Sequence, residues 1–86
     1  MITVYVLQSK NKPKRYVGIT NNLSRRLKEH RSPRSTVTKL LGDFELLMTE
    51  SFPDYSSARK REKFLKSGNG RTFLNDLFRM GPANGG

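Results

Sequence analysis

Ile2-Thr3-Val4-Tyr5-Val6-Leu7-Gln8 sets Ile2, Val4 and Val6 against Thr3, Tyr5 and Leu7 with a period of two, and its β-branched content predicts a strand. Arg15–Thr20 keeps that period. The polar, basic Ser9–Lys14 between them predicts a hairpin, whose antiparallel pairing can set Tyr5 and Tyr16 on one face. Gly18 shares the face of Tyr16 and leaves a gap there, open to a ligand or another backbone, or else marks a bulge. After Thr20 the period lengthens. Asn21 or Asn22 caps a helix that carries Leu23 and Leu27 at i, i+4. With Leu23 at zero and roughly 100° per residue, Leu27 falls at about +40°, His30 at about −20° and Arg26 at about −60°. Arg25, Lys28 and Glu29 fall on the far side, so Arg25 meets water while Arg26 and His30 flank the buried stripe.

Arg31–Lys39 reads as a basic, hydroxyl-rich loop, either suited to phosphate contact or a mobile connector, turning helical toward Leu40-Leu41. Phe44, Leu46 and Met48 alternate with Glu45, Leu47 and Thr49 in a third, longer strand that Pro53 stops. Asp54 or Ser56 caps a second helix running to about Lys66, and Gly68-Asn69-Gly70 is expected to break it. Phe73, Leu74, Leu77 and Phe78 define a short closing helix, and Gly81–Gly86 reads as a frayed tail. No run approaches the roughly 18 apolar residues of a membrane span, and no signal peptide precedes the first strand. A soluble, cytoplasmic, single-domain protein is expected.

Charge adds a partner to this outline. The chain of 86 residues carries a formal charge of +10 and no cysteine, which removes disulfides and thiolate zinc sites as supports for a thin core. Residues 9–39 hold ten Lys/Arg against Glu29 alone, and residues 59–71 hold six against Glu62 alone. Such density suits a polyanion, most simply nucleic acid; a merely solubilising surface is the bland alternative. Lys14, Arg15, Arg25, Arg34, Lys39, Lys63, Lys66 and Arg71 are the candidate nucleic-acid contacts.

Candidate chemistry gathers on few residues. Glu62 lies four after Ala58 and three before Leu65, on the only Ala/Leu stripe of its helix. There it can ligate Mg²⁺ or Mn²⁺, which need one or two protein oxygens plus substrate phosphate, or form an ion pair with Lys66 or Arg59. Phosphodiester hydrolysis needs a deprotonated water, charge stabilisation at phosphorus and help for the leaving oxygen. Tyr16, Arg26, His30 and Glu62 supply such a set if a strand and two helices share one concave side of the sheet. A tyrosine acidified by cations and metal can then serve as base. A Ser-His-Asp triad has only His30 to draw on, and no Gly-x-Ser-x-Gly elbow or phosphate-cradling glycine loop is present.

Val4-Tyr5-Val6, Tyr16-Val17-Gly18, Leu23–His30 and Ala58–Lys66 together resemble the GIY-YIG nuclease family over nearly the whole chain. The resemblance implies an α+β fold, a three-stranded antiparallel β-sheet flanked by α-helices, with residues 1–80 as one GIY-YIG nuclease-like domain and 81–86 as a flexible C-terminal tail. It also implies a divalent-metal-dependent endonuclease (a hydrolase acting on DNA phosphodiester bonds), with Mg²⁺ or Mn²⁺ as cofactor. By position the two motif tyrosines fall on Tyr5 and Tyr16, the arginine on Arg26, the histidine on His30, the metal-binding glutamate on Glu62 and a late-domain asparagine on Asn75. In that family the second tyrosine is the general base or orients the attacking water, and the arginine stabilises phosphate charge. Ile19 stands where some members carry lysine, so that cation is absent or replaced by Lys14 or Arg15. Branched or damaged DNA in repair or recombination is the expected substrate; a catalytically weak or inactive nucleic-acid-binding module of the same fold is the alternative.

Overall fold

The computed structural model describes residues 1–79; the expected tail, 81–86, lies outside the described residues. Seven elements follow in order: β1 (Ile2–Ser9), β2 (Arg15–Thr20), α1 (Leu23–His30), α2 (Thr36–Leu41), β3 (Phe44–Phe52), α3 (Tyr55–Lys66) and α4 (Gly68–Arg79). The strands form one antiparallel sheet in the order β2-β1-β3, which makes an α+β fold with β2 and β3 as its edges. None of the described helices is long and apolar enough to cross a membrane.

β1 is apolar on both faces because both are covered. Ile2, Val4 and Val6 pack with Ala58 and Leu65 of α3 and Leu74 of α4. Tyr5 and Leu7 pack on the opposite face with Val37 and Leu41 of α2, against Leu23 and Leu27 of α1. Caps fix where three of the helices begin: the side chains of Asn22, Ser35 and Asp54 accept from the backbone N–H groups of Arg25, Val37 and Ser57. The expected loop before Leu40 is therefore helical from Thr36. Thr38 ties α2 to the end of α1 by donating its hydroxyl to the carbonyl of His30.

Two further expectations change. Between Val6 and Leu7 the pairing with β3 slips: Val6 faces Met48 while Leu7 faces Leu46, leaving Leu47 extra. One inserted residue reverses the faces beyond it. Phe44 consequently packs with Tyr5 and Leu7, Leu47 and Met48 pack with the Val4 cluster, and Leu46 stays 39% exposed. The predicted Phe44-Leu46-Met48 face does not form. Nor does Gly68-Asn69-Gly70 separate two helices, since α4 starts at Gly68. Ser67 alone makes the corner, its N–H bonded to Phe64 O at 3.0 Å, its Oγ accepting from Gly70 N at 3.1 Å and its carbonyl from Arg71 N at 2.9 Å. A Cβ on Gly70 would lie 2.5 Å from Leu65 Cα and press on the Phe64 carbonyl. Glycine serves here for close helix approach.

One buried hydrogen bond fastens α1 to the central strand. Tyr5 pairs with Gly18, and a Cβ at Gly18 would fall 2.5 Å from the Tyr5 hydroxyl oxygen, so the phenol fills the gap the sequence leaves. That hydroxyl meets His30 Nε2 at 2.7 Å, with Tyr5 1% and His30 4% exposed. Burial pushes the phenol up to about 12; Tyr16 adds to the rise and Arg26 opposes it. Burial, then the Arg26 charge, holds the imidazole below its ordinary value of 6.5, against a smaller pull from Glu29. Both shifts favour the neutral form near neutral pH.

Gly70→Ala lowers unfolding free energy by about 1–3 kcal/mol through overpacking, whereas Gly68→Ala, with nothing within 4 Å of its Cβ, raises it by about 0.4–1 kcal/mol; urea unfolding separates the two. The unfolded chain protonates His30 more readily than the folded one, so stability present above pH 6.5 falls as pH drops through and below that value. The raised Tyr5 value acts at the other end, removing stability as pH climbs from 10 toward about 12. Urea midpoints across both windows check this: His30→Gln flattens the acid arm and Tyr5→Phe the alkaline one.

Candidate active site at the edge of the sheet

Tyr5, Tyr16 and His30 cluster on the α1/α2 side of the sheet. Ring centroids stand 6.2 Å apart for Tyr5–Tyr16, 5.8 Å for Tyr5–His30 and 5.3 Å for Tyr16–His30, the last pair edge-on. Tyr16 and His30 open onto a cavity of about 400 Å³ that Arg26, Glu29, Thr36 and Leu40 also line. Arg26 enters it as the helical spacing predicts, but its side chain is 44% exposed and donates from Nη1 to Glu29 Oε1 at 2.9 Å. Glu29 also draws Arg25 Nε to 3.8 Å. Tyr5 lines neither this cavity nor the next; it supports His30 from beneath.

A larger cleft, about 810 Å³, lies on the other side of Tyr16. Tyr16 and Leu40 belong to both cavities. The cleft wraps round the free edge of β2, because its walls include Leu40 from the α1/α2 side and Leu65 and Leu74 from the α3/α4 side. Lys14, Arg15, Lys66 and Arg71 bring four cations to it, and Asn75 lines it as well. Arg15 is fixed: Nε donates to Gln8 Oε1 at 2.8 Å and Nη1 to Asn75 Oδ1 at 2.7 Å. Of the other DNA candidates, Arg25, Arg34, Lys39 and Lys63 are exposed and line neither cavity. Gln8 escapes the sequence reading. Its only signal is register, since it lies directly opposite Arg15 across the β1–β2 pair.

Glu62 sits where the Ala/Leu spacing predicts, between buried Ala58 and Leu65, with a side chain 17% exposed. Its Oε2 accepts from Lys66 Nζ at 3.0 Å, the ion pair weighed from sequence. The expectation that Tyr16, Arg26, His30 and Glu62 share one concave side is corrected. α1 packs on the Tyr5 face and α3 on the Val4 face, so these residues approach one another only round the β2 edge. The reason is β1 itself, which is apolar on both faces and must be covered on both. Glu62 lines neither cavity and reaches the larger one through Lys66.

For a divalent ion the donor set is sparse. No group of three or more His, Cys, Asp or Glu side chains gathers among the described residues. A lone carboxylate still fits Mg²⁺ or Mn²⁺, which keep several waters and take their remaining oxygens from substrate phosphate. The pair that occupies Glu62 is weak, because Lys66 is 54% exposed and an i, i+4 pair contributes roughly 0.3–0.5 kcal/mol. Glu62 is a carboxylate of that kind, partly buried and, among the described residues, held only by this pair.

Residues 1–75 match the model of the GIY-YIG catalytic domain. The solution NMR structure of a UPF0213 protein from Bacillus halodurans is 32% identical, with a TM-score of 0.55 over 95% of this chain and 89% of that one. No functionally curated protein matches. With the fold, the two motif tyrosines on one face and a family match over most of its length, the chain belongs to the GIY-YIG nuclease family.

Proposed function

We propose that this protein is a divalent-metal-dependent endonuclease that hydrolyses phosphodiester bonds in DNA, working at the β2 edge. The observation that carries the proposal is the position of Tyr16. It is the phenol shared by two cavities, with Arg26 and His30 on one side and the cations of the larger cleft on the other. A phosphate seated at that junction meets a proton acceptor and cations at once. Water attacks phosphorus as the bond to the leaving oxygen breaks. Tyr16, reacting as the phenolate after releasing its own proton to solvent, orients that water and accepts its proton, and the leaving oxygen is protonated from solvent. The N–H groups of Arg26 not engaged by Glu29 face the growing charge on the phosphoryl oxygens. Glu62 is the residue that would hold Mg²⁺ or Mn²⁺, and such an ion would add charge neutralisation and acidify water.

The remaining candidates take supporting parts. Neutral His30, bonded to the Tyr5 hydroxyl, stacks edge-to-face with Tyr16 and fixes where that phenol stands. Tyr5 acts through His30 as a positioning residue. Branched or damaged DNA in repair or recombination remains the proposed substrate, and the cytoplasm the proposed compartment.

Supercoiled, branched and single-stranded DNA incubated with Mg²⁺, Mn²⁺ or chelator tests the proposal. Wild type cuts only with metal. Tyr16→Phe and Arg26→Ala lose roughly 10²-fold or more in rate, and Glu62→Ala loses the metal response. Binding without cutting in wild type supports instead the inactive module, for which the Glu62–Lys66 pair speaks. A Glu62→Ala protein as active as wild type overturns the metal assignment.

A further inference from the structure

A cation held by two side-chain hydrogen bonds lies outside the Arg26 cavity. Arg15 is half-buried at the start of β2, and two neutral amides from opposite directions hold its guanidinium: Gln8 from the paired strand and Asn75 from α4. Gln8 is itself tethered, donating from Nε2 to the carbonyls of Ser9 at 3.1 Å and Lys14 at 3.2 Å. Neither partner neutralises the charge. Arg26, by contrast, spends a donor on a carboxylate. An arginine oriented by amides, with donors to spare, is preorganised to receive an anion and loses little side-chain freedom in doing so. Lys14, Lys66 and Arg71 stand round the same cleft, and no carboxylate lines it among the described residues. Such a lining suits a run of phosphates.

We propose that Arg15 is a phosphate anchor clamped by Gln8 and Asn75, and that its cleft takes an unpaired DNA strand continuing from the phosphate seated at Tyr16. This rests on the nuclease reading for the identity of the anion and deepens it by naming the form of the substrate. The geometry selects an unpaired strand. The two cavities meet at Tyr16 on either side of a sheet edge, so a chain occupying both must turn sharply round β2. Single strands make that turn freely; duplex DNA, with a persistence length of about 50 nm, does not. Tyr16 offers the bend a phenol ring on which a base can stack. Asn75 then acts on DNA through Arg15 and is a positioning residue, since its carbonyl oxygen is already taken by the guanidinium.

Fluorescence anisotropy with a labelled oligothymidine strand and a blunt duplex of equal length, in excess chelator, reads binding apart from cleavage. The single strand binds more tightly than the duplex. Arg15→Ala weakens single-strand binding about tenfold and lowers the slope of log affinity against log salt by about 0.7. Asn75→Ala weakens it about threefold with the slope unchanged, because the charge stays while its orientation is lost, and adds nothing in the Arg15→Ala background. Arg15→Lys keeps the slope and loses affinity, as expected when the fork and not the charge is removed. Equal loss from Asn75→Ala with and without Arg15 overturns the clamp, and duplex bound as tightly as single strand overturns the unpaired-strand assignment. A protein that shows the Arg15 pattern yet never cuts with metal overturns the nuclease reading and leaves the clamp standing. One that cuts with metal and binds DNA independently of Arg15 does the reverse.

Discussion

The Tyr5 phenol has almost no freedom, and much of the site inherits that. Its ring lies over Gly18, where the absence of a side chain is the only reason it fits, and its hydroxyl ends on His30. His30 is the last residue of α1, so this contact at the helix end, together with the hydroxyl of Thr38 on the carbonyl of the same residue, sets the helix against the sheet. Once α1 is placed, Arg26 is aimed one turn back along the same face. A buried donor–acceptor pair left half-satisfied costs about 1–3 kcal/mol, enough to hold the helix in one register. Tyr5 and His30 are thus neutral, desolvated supports, and the chemistry falls to groups nearer solvent.

The sheet edge shapes the rest. A strand buried on both faces requires helices on both, which puts the arginine of α1 and the glutamate of α3 on opposite sides of the sheet. In a wider sheet they would be kept apart. With three strands, and β1 central, β2 is an edge, and the two sides communicate across the width of one strand. Tyr16 stands on that strand and belongs to both cavities. The α3/α4 pair is held to the sheet by Arg61, which grips Glu50 with two hydrogen bonds of 2.8 and 3.0 Å while lying 5.1 Å from the ring centroids of Phe64 and Phe73. Close approach at Gly70 then brings Asn75 within reach of Arg15.

Electrostatics grades the basic side chains that composition leaves undifferentiated. Arg25 and Arg26 share Glu29, Arg61 is spent on Glu50, and Lys66 is paired with Glu62. Arg15 is held by uncharged amides and keeps its full charge available. A formal charge of +10 therefore describes affinity for polyanions in general, while local pairing decides which cations are positioned to recognise one.

What the sequence determined by itself was local. Strand periods, a cap at Asn21 or Asn22 and another at Asp54 or Ser56, the choice of Arg26 over Arg25 and the placing of Glu62 between Ala58 and Leu65 all depend on neighbours within about four residues, and hydrogen bonds or helix spacing of that range act wherever the chain goes. The motif residues could likewise be found in order, and with them the family. Tertiary structure decided what no neighbour can report. The slip opposite Val6 reversed the faces of β3, because core filling on two sides outweighs strict alternation. Gly70 became part of a helix because the constraint on it comes from Phe64 and Leu65 in the preceding helix. The pairing of Gln8, Arg15 and Asn75 joins residues up to 60 positions apart, and only folding brings them into hydrogen-bonding distance.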